Sequence, residues 1–180
     1  VIADLLINFL LRRTKGEPRI IATRDGKGAY LTRYFLTEGA AKTEGMDRHA
    51  ADAPKWGLYL HHFHRGDDGA ELHNHPWKWA VSLILKGGYS EERRVPVDDR
   101  NWMHASGHRV VRRDVLPWTL NFLRGEDFHR ADMLVTRAAA FDDRGAWTLF
   151  LVGPIVQSWG FWDRETGRFT PWKKFLGIEA

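Results

Sequence analysis

Glu71-Leu72-His73-Asn74-His75-Pro76-Trp77 is the stretch on which the reading of this chain turns. Side chains alternate between the two faces of an extended strand, so His73 and His75 share a face with Glu71 and Trp77, while Leu72 and Asn74 take the other. Two imidazoles one pleat apart can converge on a single metal ion. The surroundings are rich in the same chemistry, since His61, His62, His64, His73 and His75 are five of the nine histidines in the chain. A third ligand has to come from a distant strand. His129, in Phe128-His129-Arg130 just after the turn Gly125-Glu126-Asp127, is the candidate.

Working outward, short β-rich runs follow one another at 57–64, 71–77, 80–86, 88–94, 109–113, 120–123, 133–136 and 147–152, separated by segments rich in Gly, Asp and Pro. Many short strands at this spacing, with no long helical pattern between them, predict an antiparallel sandwich or barrel. Two further runs, 19–22 and 30–36, flank the turn residues Asp25-Gly26-Lys27-Gly28, and 37–54 reads as a loop or short helix. Ahead of them, apolar residues at Ile2, Leu5, Leu6, Phe9 and Leu10 recur at helical spacing and predict a helix over 2–11. The aromatic C-terminal segment, 159–175, is expected to fold back on the sheets.

A length of 180 residues fits one domain, with 1–55 as helix and lead-in strands and 56–180 as the barrel. Hydrophobic residues make up 43% and Trp numbers 9, enough for a packed core and unlike a disordered chain. With no Cys there is no disulfide framework, thiolate metal site or thiol nucleophile, so a metal must be held by His and carboxylates. The charge excess of +4 is scattered through mixed clusters such as Glu91-Glu92-Arg93-Arg94, which argues against nucleic acid as a partner. No apolar run is long enough to span a bilayer or shaped like a secretory signal, so a cytoplasmic protein is expected. The sequence starts at Val1, which leaves room for an initiator Met or a leader ahead of it.

The pair His73 and His75, the Gly87 that follows the hydrophobic run 80–86, and the downstream His129 together resemble the two motifs of the cupin superfamily. His73-Asn74-His75-Pro76-Trp77, Gly87-Gly88-Tyr89-Ser90-Glu91, Trp147-Thr148-Leu149-Phe150 and Trp159-Gly160-Phe161 look like a group of small bacterial and phage cupins, over about 56–175. The resemblance implies an all-β fold, the double-stranded β-helix or jelly roll, here with a short N-terminal helix. It also implies a divalent transition metal on His73, His75 and His129. Where the cupin Glu ligand would fall, this chain has Trp79 and Ala80, and the second motif lacks its usual Pro-x-Gly. The missing carboxylate makes the site similar to the three-His centres of thiol dioxygenases and some diketone-cleaving cupins.

Three neutral imidazoles leave the metal its full charge and open positions, which suits Fe(II), with Zn, Ni or Mn as alternatives. The expected function is an Fe(II)-dependent oxygenase acting on a small polar molecule. A non-enzymatic metal or small-ligand binding cupin and a metal-dependent isomerase or sugar-modifying cupin are the alternatives. Tyr89, Glu91 and His64 are the candidate catalytic groups, Tyr89 and Glu91 because they alternate in phase after Gly88. His62 and Glu71 are candidates for a place beside the metal, and Trp77 and Trp79 for the pocket wall. The apolar stripe of the N-terminal helix has to be covered, and a homodimer is one way to cover it.

Overall fold

A computed structural model describes residues 1–24, 26–38, 55–67, 69–96, 107–133 and 145–178. In chain order its elements are α1 (Ile2–Leu11), β1 (Arg19–Ala22), β2 (Ala29–Phe35), β3 (Gly57–Phe63), β4 (Leu72–His73), β5 (Trp79–Lys86), β6 (Tyr89–Pro96), β7 (His108–Val115), β8 (Leu120–Arg124), β9 (His129–Met133), β10 (Ala146–Val152), β11 (Gly160–Trp162), β12 (Phe169–Pro171) and α2 (Trp172–Phe175). Two antiparallel six-stranded sheets result, ordered β1-β2-β3-β10-β5-β8 and β12-β11-β4-β9-β6-β7. We refer to them as the first and second sheet. The expected all-β jelly roll with an N-terminal helix is present. The lead-in strands β1 and β2 extend the first sheet, pairing onto β3.

The first sheet buries apolar residues on both faces. Its inner side carries Phe35, Tyr59, Ala80, Leu123, Phe150 and Val152, packed with Trp77 into a core cluster. Its outer side carries Leu60 and Leu85, which α1 covers with Ile7, backed by Leu6, Leu10 and Leu11. Asp4 in the first turn of α1 anchors the helix by accepting from Lys86 Nζ at 2.7 Å. The helical period was correct, but the packed face is rotated from the stripe read in the sequence. Ile2, Leu5 and Phe9 stay exposed, because the helix is apolar almost all round and the face holding Ile7 meets the sheet.

The second sheet is built differently, with charge outside and polar groups within. On its outer face Glu92 accepts from Arg164 Nη2 at 2.6 Å and lies 3.6 Å from Arg130, and Ser90 accepts from Arg112 Nε at 2.6 Å. Two glycines let backbone segments approach closely at the strand ends of the first sheet. A Cβ on Gly125 would lie 2.1 Å from the Trp77 carbonyl oxygen, and Gly87, at φ +72°, would put one 2.2 Å from that of Gly145.

Several strand limits differ from the sequence reading. The run 71–77 shortens to β4, and Trp77 makes only an isolated bridge to Ile155. Pro76 lacks the N–H a ladder needs. The strand placed at 133–136 begins at the histidine, as β9, and 134–136 lie outside the described residues. Most of the loop at 37–54 lies outside them too. The C-terminal aromatics do fold back, with Trp159 stacked on Trp172 and Phe161 on Phe175. Among the described residues no helix is long and apolar enough to cross a membrane.

Candidate metal centre

His73 and His129 are direct partners across β4 and β9, which puts their rings 4.9 Å apart. His75 joins them from the irregular chain after β4. Its position is fixed by backbone bonds, since its N–H donates to the Gly125 carbonyl and its carbonyl accepts from Gln157 Nε2 at 2.8 Å. Nε2 of His75 and Nε2 of His129 stand 2.9 Å apart. One ring nitrogen from each of the three histidines lies within 4.8 Å of the others. For metal–nitrogen bonds of about 2.1 Å, two ligands at right angles would have their nitrogens about 3.0 Å apart. The His75–His129 spacing therefore fits a shared cation.

Protonation supports the same conclusion. Burial pushes His75 well below the usual imidazole range and His73 down to about 4, so both are neutral and keep a lone pair for a cation. Glu91 sets the tautomer of His129. It is fully buried, and its Oε1 receives the Nδ1 hydrogen of His129 at 2.9 Å, which leaves Nε2 to face His75. Burial alone would raise the Glu91 carboxyl. Contact with His129, then with Arg93 and Asn121, outweighs burial and holds it well below the usual carboxylate range. Arg93 Nη2 donates to both carboxylate oxygens at 3.0 and 3.1 Å, and Arg113 Nε to Oε2 at 2.8 Å. Buried Asn121 completes the network: its Nδ2 donates at 3.0 Å to Glu91 and at 3.0 Å to the Tyr89 hydroxyl, and its Oδ1 accepts from Arg93 and Arg113.

A second carboxylate, Asp67, stands near His73, with Oδ2 3.7 Å from Nδ1. Tyr30 O–H and the Ala131 N–H both donate to Asp67 and hold it in place. The triad opens onto a cavity of about 1060 Å³ with a largely aromatic wall. Trp77 stacks on His75 at 5.4 Å, and Phe150 stacks on His61 at 4.8 Å.

The structure brings His73, His75 and His129 together, with Tyr89 and Glu91 directed inward beside them. It does not bring His64 there. His64 is exposed on the outer side, its Nε2 bonded to Thr32 Oγ1 at 2.8 Å, next to His62, which stacks on Trp147. Strand parity in β3 turns His61 inward instead. His61 is buried, lines the cavity and accepts from Arg33 Nε at 3.1 Å. Glu71 lies toward Arg24, at 3.8 Å, and is outside the triad. Trp79 is also displaced. The irregular residues before β5 reset the phase, and Trp79 takes the face of β5 opposite Ala80 and Ser82, its ring against Gly153. Asn121, Asp67, Tyr30 and Arg33 are site residues that sequence reasoning missed.

Two antiparallel sheets closed around inward-facing histidines from β4, the segment after it and β9 make this a cupin-type double-stranded β-helix with a three-histidine centre. No family model and no curated protein matches the sequence. Similar solved structures include KdgF from Halomonas sp., at 13% identity over 77% of this chain and 88% of that one, with a TM-score of 0.45. A cupin-2 domain from Rhodospirillum rubrum shares 15% identity over 83% of this chain and 76% of its own, with a TM-score of 0.47. Oxalate decarboxylase from Lactobacillus farciminis, in a formate complex, shares 11% identity over 97% of this chain, with a TM-score of 0.48. This chain spans only 37% of that enzyme.

Proposed function

We propose that the protein is a metal-dependent cupin enzyme, an Fe(II)-dependent oxygenase acting on a small polar molecule held in the cavity. The observation that carries this reading is the donor set: three imidazoles with no carboxylate among them, converging at a cavity walled in part by Trp77 and Phe150. Such a set leaves a divalent ion its whole charge and room for further ligands. Ferrous iron there would supply the one-electron chemistry by which dioxygen reacts with an organic molecule. The remaining work falls to side chains of the chain. Glu91 holds His129 in the tautomer a metal needs, and Trp77 and Phe150 keep water away from the reacting groups. Tyr89, whose hydroxyl burial raises to about 12, stays protonated and is the hydrogen-bond donor of the β6 wall.

His64, on the outer face, and Glu91, tied to two arginines, are poorly placed as the acid and base of an isomerase. That favours the oxygenase over the isomerase. We place the protein in the cytoplasm. A homodimer would form through the exposed Ile2, Leu5 and Phe9, since α1 buries its other face within its own chain.

The test is metal analysis of protein purified without an affinity tag, followed by anaerobic Fe(II) loading and measurement of oxygen uptake with small organic acids and alcohols. One metal per chain, lost in His75→Ala and in His129→Ala, with substrate-dependent oxygen uptake, is the expected result. Unchanged metal content in those variants overturns the site, and iron binding without uptake for any substrate overturns the oxygenase.

A further inference from the structure

Gln157 reaches the triad from the segment that follows β10. The backbone N–H groups of Val156 and Gln157 both donate to the Pro76 carbonyl, at 2.9 and 3.3 Å. With the bridge between Trp77 and Ile155, these bonds lay the segment alongside the residues just after His75. From there the Gln157 side chain spans two further pieces of chain: its Nε2 donates to the His75 carbonyl at 2.8 Å and to the Gly125 carbonyl at 2.6 Å. The Gly125 carbonyl also accepts from the His75 N–H, at 3.3 Å. One amide thus ties a histidine of the triad to the turn that leads into another, His129. Glycine suits position 125, since a Cβ there would stand 3.0 Å from the Gln157 Nε2.

A glutamine amide has two N–H donors and one oxygen with two lone pairs. Both donors are spent here on backbone carbonyls, and this settles which way round the amide lies. An oxygen in the place of Nε2 would face two carbonyl oxygens and be repelled by both. Oε1 is therefore turned away from His75 and Gly125. Among the described residues nothing donates to it, yet it is not sealed from contact as the unpartnered Thr148 Oγ1 is. Gln157 lines the cavity, so this oxygen is an acceptor open to whatever the cavity holds.

We propose that Gln157 Oε1 selects the ligand of the metal centre by accepting an N–H or O–H of the molecule that coordinates the cation on His73, His75 and His129. Two backbone bonds hold the amide, so the acceptor is ordered before the ligand arrives. The same bonds position His75, which keeps the acceptor and one metal ligand in a fixed relation. The substrate class narrows to molecules that coordinate through one atom and offer a hydrogen a few bonds away, as azoles, amines and alcohols do. A carboxylate, ether or ester placed there sets acceptor against acceptor and is disfavoured. The proposal deepens the metal-enzyme reading and rests on it.

The experiment titrates Co(II)-loaded protein with imidazole and with N-methylimidazole, following the visible cobalt bands. Both coordinate through the same kind of nitrogen, but only imidazole keeps an N–H to donate. Imidazole should bind about three- to tenfold more tightly, the worth of one neutral hydrogen bond. The isomer methylated on carbon carries the same bulk and retains the N–H, so it should bind like imidazole; this series needs wild type alone. Gln157→Met, which keeps the length of the side chain and loses the acceptor, should remove the preference once the variant is loaded with cobalt. Its cobalt affinity should also fall, because His75 loses its clasp. Equal binding of imidazole and N-methylimidazole, a carbon-methylated isomer that binds as weakly as the N-methylated one, no binding of imidazole, or a preference that survives Gln157→Met overturns the acceptor and leaves the metal centre standing. Failure of the wild type to take up cobalt overturns the metal centre, and the acceptor with it.

Discussion

The two sheets enclose one cavity but are stabilised by different means. The first buries apolar residues on both faces, the inner ones packed into the barrel and the outer ones under α1, so that Leu60 and Leu85 are completely buried. The second faces inward with two histidines of the proposed metal site, a buried carboxylate and Arg93, and outward with ion pairs. The difference shows where a fold of this size can place reactive groups. The first sheet supplies much of the wall, with rigidity from apolar burial on both sides. The second supplies two of the three triad histidines, and the carboxylate it buries beside them is matched by Arg93, Arg113, Asn121 and His129.

The comparison is tested most severely by removing one buried residue from each sheet. Leu60→Ala leaves a cavity under α1 and should cost about 3 kcal/mol, with metal affinity unchanged. Glu91→Ala should cost a similar amount, because the largely buried Arg93 is then left without its carboxylate. It should also weaken metal binding by about 10- to 100-fold, since His129 loses the acceptor that fixes its tautomer. Urea denaturation and metal titration read the two effects separately. If Leu60→Ala weakens the metal as much as Glu91→Ala does, the proposed division between the sheets is wrong.

Acid provides the next test, because the second sheet holds His73 desolvated within the triad. His73 has its proton affinity lowered by burial to about 4, from an unfolded value near 6.5. The unfolded chain therefore binds more protons between those values, and folding stability falls as the pH drops through that window. In metal-free protein this residue should remove about 2 kcal/mol between pH 7 and pH 5. His73→Gln should reduce that slope, to which His75 and His61 also contribute, whereas Leu60→Ala should keep it. Equal slopes in wild type and His73→Gln would mean that the imidazole is not desolvated.

How much of this was legible in the sequence follows the same division. The triad could be read because His73 and His75 stand two apart and His129, although distant in sequence, follows the turn at Gly125 where the second cupin motif would supply its histidine. The range of α1 was legible from its helical period, but the packed face was not, since apolar residues surround the helix. In β3 the histidines fall on both faces, and with both faces of the strand covered no polar alternation reveals which one points inward, so His64 was chosen and His61 passed over. The phase of Trp79 was lost in the irregular residues between β4 and β5. The Glu91 network was beyond reach for another reason: Asn121 and His129 lie 30 and 38 residues from Glu91, and only the register of the second sheet and its junction with β8 brings them together.

That junction provides the smallest test. Residues 116–119 carry the chain from β7, the edge of the second sheet, to β8, the edge of the first, and Trp118 within them has φ +66°. An L residue with a large side chain adopts this region at a cost of about 1–2 kcal/mol. The turn requires it, because Trp118 N–H donates to the Ile84 carbonyl at 2.7 Å while Ile84 N–H donates to Thr119 at 3.1 Å, fixing both sides of the corner. The indole repays little, being 52% exposed. Asn tolerates a positive φ through its own short-range hydrogen bonding, without the unfolded-state entropy that Gly would add. Trp118→Asn should therefore raise stability by about 0.5–1 kcal/mol, seen as a rise of a few degrees in Tm, and leave metal content unchanged. A fall in stability would show instead that the exposed indole is packed against something in solution. The face carrying Leu116, Leu120 and Phe122, all exposed beside it, would then be the place to look for a second copy of the chain.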